Sequence, residues 1–232
     1  MSPVPPIIRA LWWCMSPSQR KAKTEALLRE KGIPYFPGLP CIESDEETEL
    51  RTIEEVGIRI ACLHCVVGCG FYPSDAVYRK YREKYLKKDQ LWDHPSPEEL
   101  SFMSDPAPDK RCINQFTWRS ESLFLLMWAV GLFEKLPWPD CQSDTGPIVA
   151  AFPSLDTSPW GFIVDLEMRA KAEILDASDL LYRPHWAIRQ AKVDGQPPPG
   201  GLEPGVIYEW HYAINWLTKY DDSDWDHVST DT

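Results

Sequence analysis

The longest unbroken apolar stretch of the chain runs from Leu123 to Phe133. A helix that is apolar on every side cannot lie on a surface, so the stretch predicts a central helix over residues 118–134, covered all round. It falls short of the roughly 17 apolar residues that cross a bilayer. Trp118, Arg119 and Glu121 fall at the predicted start of this helix, where free amide groups need polar partners.

Before it, Ser16-Pro17 predicts a helix to Lys31, with Ala22, Ala26 and Leu27 as a weak apolar face and Gly32 as its stop. Ser44-Asp45-Glu46-Glu47 combines a capping residue with acids in the first turn and predicts a helix to Cys69, burying Ile53, Val56, Ile60 and Leu63. Pro73-Ser74 opens the next, to Leu86, with Val77, Tyr78, Tyr81 and Tyr85 along one side and a basic face of Arg and Lys. Ser96-Pro97 opens a short helix to Met103, and Pro106 to Asp109 form a loop.

After the central helix, residues 137–159 show no period and read as a long loop, with Val149 to Phe152 as a poor strand candidate. A helix is predicted from Trp160 to Leu175, a turn at Asp176 to Asp179, and a helix from Pro184 to Val193. Pro204 opens the last helix, with Val206, Trp210, Ala213, Ile214 and Leu217 at helical spacing. The class is all-α: a single-domain multi-helix bundle around the buried central helix. Residues 1–15, with Trp12 and Trp13, are an irregular lead-in; 16–220 are the domain; 221–232 are an acidic tail. Trp225 and Val228 lie among the tail's charges. The tail is therefore expected to dock, burying Trp225, while Asp224 and Asp226 pair with arginines or cap helix amides; Arg119 and Arg183 are the expected partners.

Composition changes this picture in three ways. The 11 Trp and 22 Pro indicate large core pieces joined by stiff loops. A net charge of −11 argues against non-specific binding to nucleic acid or to an anionic membrane, and permits a basic protein partner. The 7 scattered Cys form no disulfide framework, and Pro3, Pro5, Pro6 and Arg9 interrupt any signal-like core. A cytoplasmic protein with free thiols is therefore expected.

Candidate chemistry is sparse. Cys62, His64, Cys65 and Cys69 resemble a metal knuckle, but three Cys at i, i+3 and i+7 also describe a buried stripe, and no second pair completes a ligand set. Asp222, Asp224 and Asp226 alternate like a calcium loop, yet His227 stands where that loop needs Gly. No metal and no cofactor are expected. Groups capable of acid–base work cluster late: Arg183 and His185 before Trp186, then Glu209 and His211 around Trp210. With Trp118, Arg119, Glu121 and Asp226 they make the candidate polar cluster, read as ion pairs between helices or as a pocket lining.

The chain also resembles a known family, the mostly bacterial domain of unknown function 4272. The resemblance rests on Trp118 to Leu123 and Leu126 to Gly131, on Glu173 to Leu180 and Tyr182 to Ala187, and on Val206 to Glu209, Ala213 to Leu217 and Trp225 to Thr232. It reaches more weakly back to Leu27, and it implies one domain and no established activity. The chain departs from the family's pattern at Cys62, Cys65 and Cys69, and at Trp210, where Arg is common. Three readings of function follow. The first is a cytoplasmic helical binding or interaction protein without catalysis, such as an immunity or accessory factor. The second is a hydrolase-type enzyme using Arg119, Glu121, Arg183 and His185, and the third a small-ligand sensor with a Trp-lined cavity.

Overall fold

The computed structural model describes residues 15–232, so the lead-in with Trp12 and Trp13 lies outside the described residues apart from Met15. Nine α-helices and three short 3₁₀ turns make up the regular structure of the described residues. They are α1 (Pro17–Glu30), α2 (Ile53–Phe71), α3 (Ala76–Lys88), α4 (Pro97–Ser104), α5 (Lys110–Ala129), α6 (Thr145–Ala151), α7 (Pro159–Val164), α8 (Lys171–Val193) and α9 (Pro204–Leu217).

The central helix is α5, and its bounds differ from the prediction. Asp109 accepts the Cys112 amide at 2.8 Å and starts the helix at Lys110, so Trp118, Arg119 and Glu121 lie within it rather than at its start. The missed first turns carry mixed residues, with Ile113 half-buried and Phe116 buried on one face. Gly131, in the left-handed region at φ 78°, ends the helix early, and Leu132 donates back to the Met127 carbonyl. Phe133 is thereby folded back to stack on Phe124, with ring centres 4.8 Å apart. From Arg119 to Ala129 every residue of α5 is buried. It packs against α2 on one side and α9 on the other; α8 lies behind α9, α1 behind α8, and α3, α4 and α7 against α2.

Other predictions give way to tertiary contacts. Ser44 and Glu47 do form a reciprocal cap, but it closes a single turn. Arg51 is drawn to the end of α9, its amide to the Leu217 carbonyl and its Nε to the Trp216 carbonyl, and Thr52 with Glu55 starts α2 afresh. The expected basic face of α3 is partly internal, because Arg79 and Arg82 are buried while Val77 is exposed. The predicted loop contains α6, which places Ile148 and Phe152 in the core and removes the strand candidate. The predicted 160–175 helix breaks after Val164. There Arg169 ties the chain to the end of α5, bonding the Trp128, Phe133 and Glu134 carbonyls. Beyond the break α8 runs unbroken through Asp176 to Asp179 and through Pro184, so neither the turn nor the fresh start at Pro184 exists.

After α9 the chain turns through Lys219, Asp221 and Asp222, all with positive φ. Trp225 is then 3 % exposed, edge-on to Tyr212 and Trp216. The Tyr212 hydroxyl donates to the Trp225 carbonyl, and Asn215 Nδ2 donates to the Ser229 carbonyl. Asp226 accepts the Glu98 amide in the first turn of α4 at 3.0 Å. The Arg119 guanidinium lies 5.4 Å from the Trp225 ring centre. Arg183 is engaged elsewhere, with Asp179 and the Pro40 carbonyl.

Candidate functional site

The residues of the predicted cluster fall into separate groups. The first lies between α5 and α9. Arg119 Nη1 donates to Glu209 Oε2 at 3.0 Å, and the Ser122 hydroxyl donates to the same oxygen at 2.6 Å. The Tyr212 ring covers the guanidinium at 3.9 Å. Burial works against the Arg119 charge, but Glu209 and the nearby Tyr212 more than offset it and hold its pKa above the ordinary value. Beside this pair, Glu121 accepts the Ser143 amide and hydroxyl at 2.8 and 2.7 Å and Trp210 Nε1 at 3.1 Å. Burial raises its carboxyl pKa, these three donors lower it, and the Glu209 charge adds to the rise. Trp210 thus supplies a neutral donor rather than a charge.

The second group lies between α8 and α9, where His185 Nδ1 meets His211 Nδ1 at 2.8 Å. One ring donates and the other accepts, so at least the accepting ring must be neutral in this arrangement. Burial lowers the His185 pKa to about 4 and that of His211 to about 3, with the Arg189 charge adding to both and His185 to the latter. The unfolded chain therefore takes up protons first as pH falls. Stability from this pair is full above about pH 6.5 and is lost as pH falls toward about 4, on the order of 2 kcal/mol per histidine by pH 5. Urea midpoints measured at pH 7.5 and pH 5 should fall accordingly, and a His185→Gln/His211→Gln variant should show a flatter profile. An unchanged profile in that variant would show that the pair does not carry the titration.

The remaining members stand apart. Arg183, 1 % exposed, makes a two-pronged pair with Asp179 one turn back on α8. Trp118 lies on Gly205, where a Cβ would sit 2.4 Å from the indole, so the absence of a side chain lets the start of α9 approach α5. Trp186 stacks on Phe36, and Asp226 caps α4. Ser122, Ser143 and Asp179 complete the polar network and were not singled out in the sequence. Ser122 is three residues after Arg119, a spacing that could have pointed to a shared helix face; Ser143 sits in a loop and offers no such signal.

In the α5–α9 group each carboxylate has its donors and Arg119 its carboxylate, while the buried Arg119 Nε meets no partner. His211 borders a groove of about 320 Å³ with Tyr182, Asn215 and Asp231. A larger groove, about 410 Å³, has charged walls that pair with one another, Arg20 and Lys23 with Asp176 and Arg169 with Glu173. Cys62, Cys65 and Cys69 are buried, and His64 stacks on Phe152 at 4.1 Å. Among the described residues no three His, Cys, Asp or Glu side chains converge as a metal site. No helix among them is long and apolar enough to cross a membrane.

A family model described as a domain of unknown function (DUF4272) matches residues 20–228 of the chain. No curated protein and no solved structure matches it.

Proposed function

Because the chain belongs to the DUF4272 family, whose description assigns no activity, we propose a function from its geometry: a cytoplasmic, partner-binding protein whose polar cluster is a structural lock. The observation that carries this reading is the closure of the α5–α9 group, in which Arg119, Glu209 and Glu121 are all buried, Arg119 is paired with Glu209, and Glu121 is held by Ser143 and Trp210. A hydrolase needs its base and its charge-stabilising donors free to meet a substrate. Here both carboxylates are held by donors of the protein itself and the Arg119 charge is paired with Glu209.

The surface supports a partner of basic character. Glu43, Glu47, Glu49, Asp221 and Asp222 line one groove of about 340 Å³. Lys219 in that groove is bonded to Glu49. The buried thiols of Cys62, Cys65 and Cys69, whose pKa values burial raises, support a reducing compartment such as the bacterial cytoplasm. An immunity or accessory factor fits these properties.

Two measurements test the reading. Affinity capture should retain a basic protein that elutes with rising salt and is lost by a Glu43→Lys/Glu47→Lys/Asp222→Lys variant. Turnover of ester, peptide or phosphate substrates that disappears in Glu121→Gln would overturn the proposal in favour of a hydrolase.

A further inference from the structure

Among the described residues six arginines are buried: Arg20, Arg59, Arg79, Arg82, Arg119 and Arg183. Arg20, Arg59, Arg119 and Arg183 each meet a carboxylate. Arg79 is held by the Phe102, Met103 and Asp105 carbonyls at the end of α4, where the helix dipole is negative. Arg82, 6 % exposed, meets no carboxylate among the described residues. Its Nη1 bonds His64 Nδ1 at 2.9 Å and its Nη2 bonds the Tyr78 hydroxyl. A buried charge without a counter-charge is costly, and Arg82 borders a pocket of about 250 Å³. We propose that this pocket, between α2, α3, α5 and α6, binds a small monocarboxylate with an apolar body.

The polarity of the pocket follows from donor chemistry. A guanidinium can only donate, so His64 Nδ1 must accept from Arg82. In the neutral ring the proton then sits on Nε2, a buried atom without a partner. Burial, with Arg82 close by, lowers the His64 pKa to about 3, which keeps the ring neutral at pH 7. The Tyr78 oxygen accepts from Arg82 and leaves its own proton to donate. Ser120 and Thr145 border the same space. The polar side of the pocket is thus rich in donors and carries one positive charge.

The rest of the wall sets the body of the ligand. Phe71, Tyr72, Leu123, Ile148 and Val149 are apolar or aromatic. The volume is below the roughly 300–1,000 Å³ usual for drug-sized ligands, which favours an acid of about ten heavy atoms. One cation matches a monoanion better than a phosphate dianion. Gly68 makes the arrangement possible: a Cβ there would lie 2.7 Å from the Tyr78 hydroxyl and 3.2 Å from Arg82 Cζ. The expectation of a Trp-lined ligand cavity is not what this pocket shows, since no Trp lines it. The site is separate from the α5–α9 cluster, so its failure would leave that reading untouched.

The test is calorimetric titration of the full chain with phenylacetate, phenylacetamide and inorganic phosphate. Phenylacetate is expected to bind one site with a Kd of about 1 mM or tighter, and the other two at least about tenfold more weakly. Arg82→Gln should abolish binding. Val149 is 60 % exposed, so Val149→Glu should leave the fold intact and, by placing a like charge at the mouth, weaken phenylacetate about tenfold. That variant keeps the test decisive if Arg82→Gln fails to fold. No saturable binding, equal affinity for phenylacetamide, tighter binding of phosphate, or an unaffected Val149→Glu variant would each overturn the proposal.

Discussion

Glu209→Ala is expected to destabilise the protein by about 3–5 kcal/mol, because it leaves the Arg119 charge buried without its carboxylate. The loss has two parts. The guanidinium remains between α5 and α9 under the Tyr212 ring, where water cannot replace Glu209, and the Ser122 hydroxyl loses its acceptor on the same side chain. The pair itself is worth far less than its disruption costs, since removing both charges removes both desolvation penalties. An Arg119→Met/Glu209→Met variant should therefore recover much of the stability lost in Glu209→Ala. Urea unfolding of the three proteins measures this. A cost below about 1 kcal/mol for Glu209→Ala would mean that water reaches the interface. Arg119 would then be available to a ligand, and the structural reading of the cluster would fall.

Trp225→Ala should cost about 3–5 kcal/mol, the usual range for emptying a buried Trp site. The melting temperature should drop by on the order of 10 °C, at roughly 2–4 °C per kcal/mol for a chain of this size. The indole is enclosed by Tyr212 and Trp216, with the Arg59 and Arg119 guanidinium groups 4.8 and 5.4 Å from its ring centre. Its anchorage must also exceed the backbone cost of Lys219, Asp221 and Asp222, each in a left-handed conformation that disfavours non-glycine residues by roughly 1–2 kcal/mol. Deleting residues 221–232 should lower the melting temperature to a similar degree, with part of the loss offset by release of that strain. A melting temperature unchanged by either alteration would show that the tail contributes nothing to the stability of the body.

The closure of the α5–α9 cluster could not be seen along the chain. Arg119 and Glu209 are 90 residues apart, and either could have lined an open pocket. Glu121 looked like a third member of an acid–base set, but its partner Ser143 comes from a loop without periodicity. Arg82 belongs to the helix whose Arg and Lys residues predict a basic face. Its burial comes from the packing of α3 on α2, where it meets His64, a long-range contact with no signal along the chain.

The sequence by itself determined the all-helical class, the buried apolar centre of α5, and the starts of α1, α4 and α9. These features follow from short-range physics. An apolar run must be covered, Ser16 and Ser96 accept amides of their own first turns, and Pro204 presets the first-turn backbone of α9 while Glu203 accepts the Gly205 amide. Tertiary structure alone decided where α2 and α8 begin, where α7 ends and which distant polar groups meet. Arg51 at the end of α9 and Arg169 at the end of α5 override local helix signals, because a buried carbonyl left without a donor costs more than a turn of helix propensity supplies. Among the described residues the same accounting pairs five of the six buried arginines with carboxylates or carbonyls from near or distant parts of the chain and leaves Arg82 bordering a pocket.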